Sequence, residues 1–191
     1  MPTQLIQRLH AIHPLTAEEI QFLRTHIPVR EFGKGEVLLR QGEISNAFFF
    51  VEQGCVRLYY EVGETEKTAY FYTENDFVSA YESYTKQVPS KFFLEAIEPS
   101  LVAVISQEVA GKILQTFPKF AFLARMMMEE ELIACQQMIS TFITLNPEER
   151  YQQFVKDHFD LSQRIPQYYL ATYLGVAPET LSRIRKRLAN R

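Results

Sequence analysis

Between Ile165 and Leu188 the chain reads IPQYYLATYLGVAPETLSRIRKRL, and this stretch leaves the backbone the least freedom. Pro166 suits the opening of a short helix. Leu170, Ala171 and Leu174 then give that helix one apolar face. Gly175 stands where a left-handed residue closes a helix. Val176 falls at the junction, as a plug between two apolar faces. Ala177 and Pro178 start a second helix, in which Leu181, Ile184 and Leu188 recur at i, i+3 and i+7. Two short helices joined by a glycine turn over a small shared core make a helix-turn-helix.

The other face of the second helix carries Glu179, Thr180, Ser182, Arg183 and Lys186, with Arg187 on its edge. These residue types suit a duplex groove. An arginine fork spans guanine O6 and N7, and a carboxylate accepts from cytosine N4. Hydroxyls, cations and a helix N-terminus suit phosphate oxygens. The charge distribution agrees. Residues 162–191 hold six basic residues (Arg164, Arg183, Arg185, Lys186, Arg187 and Arg191) and one acid, Glu179, a balance of +5. The whole chain carries −3, so the remainder carries −8. A basic tail on an acidic body points to a local polyanion surface. An ordinary helical hairpin is the plain alternative, because cations favour any helix C-terminus.

The rest of the chain changes texture twice. Residues 3–26 predict short helices: Leu5, Ile6, Leu9 and Ile12 recur at helical spacing, and Thr16 to Glu19 reads as a capping box. Residues 28–105 predict strands. Val37–Leu39, Phe48–Val51, Val56–Tyr60, Phe92–Leu94 and Leu101–Ile105 are short runs of β-formers. Gly33, Gly35, Gly42, Gly54 and Gly63 punctuate them, as turns with positive φ require. Short, evenly spaced strands of this kind imply a barrel or jelly roll.

From residue 107 the pattern is helical. Pro118 opens a long helix that runs without Gly or Pro to about Leu145. Met128, Leu132, Cys135, Ile139 and Phe142 follow the 4-3-4-3 spacing of a coiled-coil seam. Met127, Ala134, Met138 and Leu145 form a second stripe beside it. Two apolar stripes need two partners. The expectation is the chain's own barrel for one and a twin subunit for the other, since helical DNA readers work as symmetric pairs. A core helix touching only its own chain is the alternative. Asn146 and Pro147 then cap and open another helix. The expected divisions are a β domain over 1–117, a dimerisation helix over 118–145 and a reading domain over 146–191.

Several classes are disfavoured. With 47% hydrophobic and 23% charged residues the composition is that of a globular protein. No apolar run approaches the roughly 18 residues of a membrane helix, and the first ten residues lack the apolar centre of a secretory signal. A cytoplasmic protein without membrane partners is expected. Cys55 and Cys135 lie far apart, where an iron–sulfur cluster takes about four thiolates. They are expected to be buried and inert. His10, His13, His26 and His158 all fall outside the strand region, so a cupin-like metal enzyme lacks its ligands. No catalytic triad or phosphate loop is evident. The expectation is neither a metal site nor an enzyme.

LATYLGVAPETLSRIRKRL (170–188) resembles the recognition unit of the Crp/Fnr family of bacterial transcription factors. FGKGEVLLRQGE (32–43) and FFFVEQGCVRL (48–58) are similar to that family's cyclic-nucleotide-binding β-roll. The resemblance implies an α+β chain. It places first a β-roll (double-stranded β-helix, or jelly roll), then the dimerisation helix, then the helix-turn-helix. It puts the base-reading positions on Pro178, Glu179 and Arg183, with Pro178 standing where some members have Arg. It implies double-stranded DNA and a second copy as partners, with RNA polymerase a further candidate. The chain stops three residues after Leu188, so the short form without a wing is expected, with a steep salt dependence.

In members that bind cyclic AMP, Gly-Glu and, about ten residues on, an Arg-Ser or Arg-Thr pair hold the ribose and phosphate. The matching segment here is DFVSAYESYTKQVPSKFFLEA (76–96). Ser79-Ala80 replaces the first pair and Ser90-Lys91 the second, so no ribose acceptor remains. Lys91 offers an anion only a point charge. The candidate effector pocket is Ser79, Ala80, Tyr81, Ser90, Lys91 and Phe92, with Tyr84 nearby. Its effector is unknown and a cyclic nucleotide is disfavoured. The competing reading is a small-molecule β-roll module whose helical tail makes protein contacts only.

Overall fold

The structure is a computed structural model that describes residues 1–189. Asn190 and Arg191, the latter among the tail cations counted above, lie outside the described residues.

Two helices come first, α1 (Thr3–Ile12) and α2 (Ala17–His26). The Thr16 hydroxyl accepts from the Glu19 amide and the Glu19 carboxylate accepts from the Thr16 amide, so the expected capping box is formed. Six strands follow: β1 (Val29–Phe32), β2 (Val37–Leu39), β3 (Ala47–Gln53), β4 (Val56–Val62), β5 (Thr65–Tyr72) and β6 (Phe77–Val78). After α3 (Tyr81–Lys86) come β7 (Phe93–Ala96) and β8 (Ser100–Ser106). The strands make two four-stranded sheets, ordered β1-β8-β3-β6 and β2-β7-β4-β5. This antiparallel jelly-roll arrangement is the expected fold class, an α+β chain with two helices ahead of its strands and most of its helices after them. The first sheet is antiparallel throughout, with Phe49 opposite Val104 on one side and Val78 on the other.

The remaining helices are α4 (Gln107–Thr116), α5 (Phe120–Thr144), α6 (Pro147–Asp157), α7 (Phe159–Arg164), α8 (Gln167–Tyr173) and α9 (Pro178–Ala189). α5 starts two residues later than Pro118, which sits in the turn before it. Asn146 caps α6, its side-chain oxygen accepting from the Glu148 and Glu149 amides while Glu149 reaches back. Such a cap is worth about 0.5–2 kcal/mol.

The chain divides into two compact units. The first holds residues 1–58 and 71–130, and the second residues 59–70 and 131–191. The first unit's core joins Leu5, Leu9 and Leu23 of the N-terminal helices to Phe50, Ala103, Ile113 and Leu123. Glu52 is buried there, and its carboxylate accepts from the Gln4 and Leu5 amides at 2.8 and 3.0 Å. It satisfies the start of α1, where the helix carries a partial positive charge.

Three expectations need correcting. Gly33 does not have positive φ, whereas Gly35, Gly42, Gly54 and Gly63 do. At Gly54 a Cβ would lie 2.3 Å from the Ser100 hydroxyl, so φ and space both demand glycine. Cys55 is fully buried, but Cys135 is only partly so, because it lies on the outward seam of α5. Burial and the nearby Glu131 push its thiol pKa up. Finally, β5 follows no run singled out from sequence, because its first half is too polar to read as a strand.

Candidate nucleic-acid interface and sensor segment

In α8 and α9 the apolar positions are those the sequence predicts. Leu170, Ala171, Leu174, Leu181 and Ile184 are buried, and Val176 and Leu188 are half-buried. Gly175 has φ +72°, the left-handed turn between the helices. Its amide and that of Val176 donate to the Thr172 and Ala171 carbonyls, closing the end of α8. Arg150 of α6 completes that end, donating to the Leu174 carbonyl from Nε and Nη2 at 3.2 and 2.8 Å.

Burial of Leu181 and Ile184 fixes the rotation of α9, and the other face follows. Glu179, Ser182, Arg183, Lys186 and Arg187 are exposed and Thr180 is half-buried. The Arg183 guanidinium leans back on the Thr180 hydroxyl at 3.3 Å, a weak restraint that a groove can displace. Arg187 differs from the rest. Its guanidinium is paired with Glu148 at the start of α6, which ties α9 to α6 and makes it a fastening before it is a contact.

On α5 the seam stripe is open. Met128, Leu132, Ile139 and Phe142 are exposed, as is Ile143, at 37, 59, 55, 42 and 77% of full exposure. A contiguous apolar stripe on a soluble helix marks an interaction surface. Phe142 has a second role, because its ring lies under the Arg150 guanidinium at 4.8 Å. The neighbouring stripe divides its partners. Met127 packs on the first unit's core, as expected for the barrel side, whereas Ala134 and Met138 line a cavity within the second unit.

Compared with known proteins, residues 29–117 match the family model described as a cyclic nucleotide-binding domain. The anaerobic regulatory protein of Pasteurella multocida is 28% identical over 171 residues, covering 81% of this chain and 60% of that protein. The chain thus spans about three-fifths of the length of that relative. Among solved structures, FixK2 of Bradyrhizobium japonicum superposes with a TM-score of 0.74 at 17% identity, covering 86% of this chain and 85% of that one. A putative Crp/Fnr-family transcriptional regulator from Eubacterium rectale gives 0.73 at 16%, covering 96% and 88%. The chain thus shares the fold of these regulators and carries a cyclic nucleotide-binding-type domain over residues 29–117.

Within this β-roll, the candidate effector residues between Ser79 and Phe92 offer little to a ligand. Ala80 is buried with no group to take a ribose hydroxyl. Ser79 and Phe92 are half-buried, and Tyr81 is exposed, so Tyr81 does not fill the roll. Ser90 is buried, and its hydroxyl bonds within its own loop, donating to the Phe92 carbonyl at 2.8 Å. Lys91 is exposed and pairs with Glu82 at 2.7 Å. Hydrogen bonds from Lys91 and Lys86 hold the Glu82 carboxyl below its ordinary pKa. These residues do not fit a cyclic nucleotide, and they gather no common site.

Sequence reasoning missed the first unit's most unusual pair. Arg57 of β4 is completely buried, and its Nη2 donates to Glu95 of β7 at 2.6 Å. Val56, Arg57, Leu58 and Tyr59 are all buried, so this part of β4 has no alternation to betray a charge turned inward. Among the described residues no cluster of His, Cys, Asp and Glu is placed to hold a metal, and no helix is long and apolar enough to cross a membrane.

Proposed function

We propose that this chain is a transcription regulator rather than an enzyme, binding double-stranded DNA as a homodimer through α9. The carrying observation is the polarity of that helix: Leu181 and Ile184 are buried, while Glu179 and Arg183 stand exposed on the opposite face. The helix N-terminus and Arg183 meet base edges, and Thr180, Ser182 and Lys186 meet phosphates. Arg187 steadies the helix through Glu148. A groove-reading helix of twelve residues binds weakly alone, so a second copy is required. The exposed α5 stripe of Met128, Leu132, Cys135, Ile139 and Phe142 supports that pairing. In functional terms residues 1–117 are the sensor, 118–145 the dimerisation helix and 146–191 the reader. The sensor's effector is unknown or lost, and its residues disfavour a cyclic nucleotide.

A gel-shift titration against fragments of the source genome tests this reading. A small set of fragments is expected to shift at protein concentrations far below those needed for the rest. Equal, weak retardation of every fragment at modest salt overturns it.

A further inference from the structure

The second unit contains a cavity of about 200 Å³ enclosed by the distal half of α5, by α6 and α8, and by the β5 residue Tyr70. Its apolar lining includes four aromatic rings, those of Tyr70, Phe142, Phe154 and Tyr173, beside Ala134, Met138 and Leu174. Phe154 and Tyr173 lie with ring centroids 5.3 Å apart. Two charged side chains, Arg150 and Asp157, also line it beside the His158 imidazole, and the circumstances of the two charges differ.

The Arg150 charge is already answered. Besides its two bonds to the Leu174 carbonyl, Nη1 donates to the Leu145 carbonyl at 2.9 Å. These carbonyls close α8 and follow α5, and each helix end carries about half a negative charge. Together they balance one guanidinium. Asp157 has no such balance. It is the last residue of α6, where the helix end repels a carboxylate. Its hydrogen-bond partner is the neutral Gln153 amide, at 2.6 Å, and among the described residues no cation pairs with it. Burial and this carboxylate push the Tyr173 hydroxyl pKa up, so the phenol stays neutral beside it. An uncompensated acid at the mouth of an aromatic-walled cavity is the arrangement that attracts organic cations.

We propose that this cavity is a binding site for a compact aromatic cation, such as an arylamidine or arylamine. The ring lies among Tyr70, Phe154 and Tyr173, and the cationic group sits on Asp157. An occupant bridges α6 and α8, the helices that hold α9 in place.

Calorimetric titration of the full chain tests this without DNA, so failure of the DNA-reading assignment leaves the result interpretable. The probes are benzamidine and tyramine, with benzoate as the matched ring of opposite charge. Both cations are expected to bind once per chain, and benzoate not at all. Asp157→Asn is expected to weaken the cations about tenfold with an unchanged Tm, since the side chain is exposed. Ala134→Phe, which fills the cavity from α5, is expected to abolish binding. Equal affinity for benzoate, an unchanged affinity in Asp157→Asn, or no binding of either cation at millimolar concentration overturns the proposal.

Discussion

The segment from Ser79 to Phe92, proposed as part of the sensor, and the helix from Pro178 to Ala189, proposed as the reader, are built in opposite ways. The first has turned its polar groups on itself. Ser90 bonds within its own loop and Lys91 is tied to Glu82. The second spends its apolar side chains inward and leaves Glu179, Ser182, Arg183 and Lys186 facing solvent. A reading surface is kept open by burying the residues behind it. The segment from Ser79 to Phe92, with neither a ribose acceptor nor an arginine fork, closes on itself through local bonds.

That contrast can be broken by experiment, and the largest expected effect lies on α5. Ile139→Asp puts a charge in the exposed seam, and burying it against a second copy costs several kcal/mol. Light scattering after gel filtration is expected to report a monomer, and specific DNA binding is expected to vanish with it. A wild type that elutes as a monomer contradicts the pairing itself.

Glu95→Ala removes a carboxylate that pairs with the buried Arg57 guanidinium, and removing one partner of a buried pair costs about 3–5 kcal/mol. Chemical denaturation is expected to report that loss. A milder result places water around Arg57 and weakens the picture of a closed interior. Arg183→Ala comes next, at about 1–3 kcal/mol for the preferred site and little elsewhere. A uniform loss on all sequences moves Arg183 from base reading to phosphate contact. The smallest effect belongs to the closed segment. Lys91→Ala removes an exposed ion pair, which contributes little in water, and DNA affinity is expected not to change. Cyclic AMP and cyclic GMP are expected to leave the wild-type Tm unmoved, whereas an upward shift reopens the segment as a nucleotide site.

The reading end was more legible in sequence than the sensor, for a physical reason. A helix-turn-helix is specified locally: Gly175 supplies a turn that other residues rarely adopt, and Leu181 and Ile184 set the helix rotation at short range. The capping residues Thr16 and Asn146 are equally local, and both were readable. The interior of the roll is specified by strands far apart in sequence. Arg57 and Glu95 are 38 residues apart, and nothing at either position announces the other. The same holds for the cavity beside Asp157, whose wall draws Tyr70 together with residues beyond 130. Arg187 looked like one more exposed cation because its partner, Glu148, lies 39 residues away. Lys91 was read as offering an anion only a point charge, and its partner Glu82 was not foreseen.

The central claim is that α9 offers Arg183 and Glu179 to base edges as one half of a symmetric pair. Selection of bound sites from randomised duplexes, run in parallel with wild type and Arg183→Ala, tests it most directly. The account predicts an inverted repeat whose half-sites lie about one helical turn apart, roughly 10 base pairs, with one position relaxed symmetrically in both halves by the substitution. A selected pool without a common sequence, or an unchanged motif from Arg183→Ala, contradicts it.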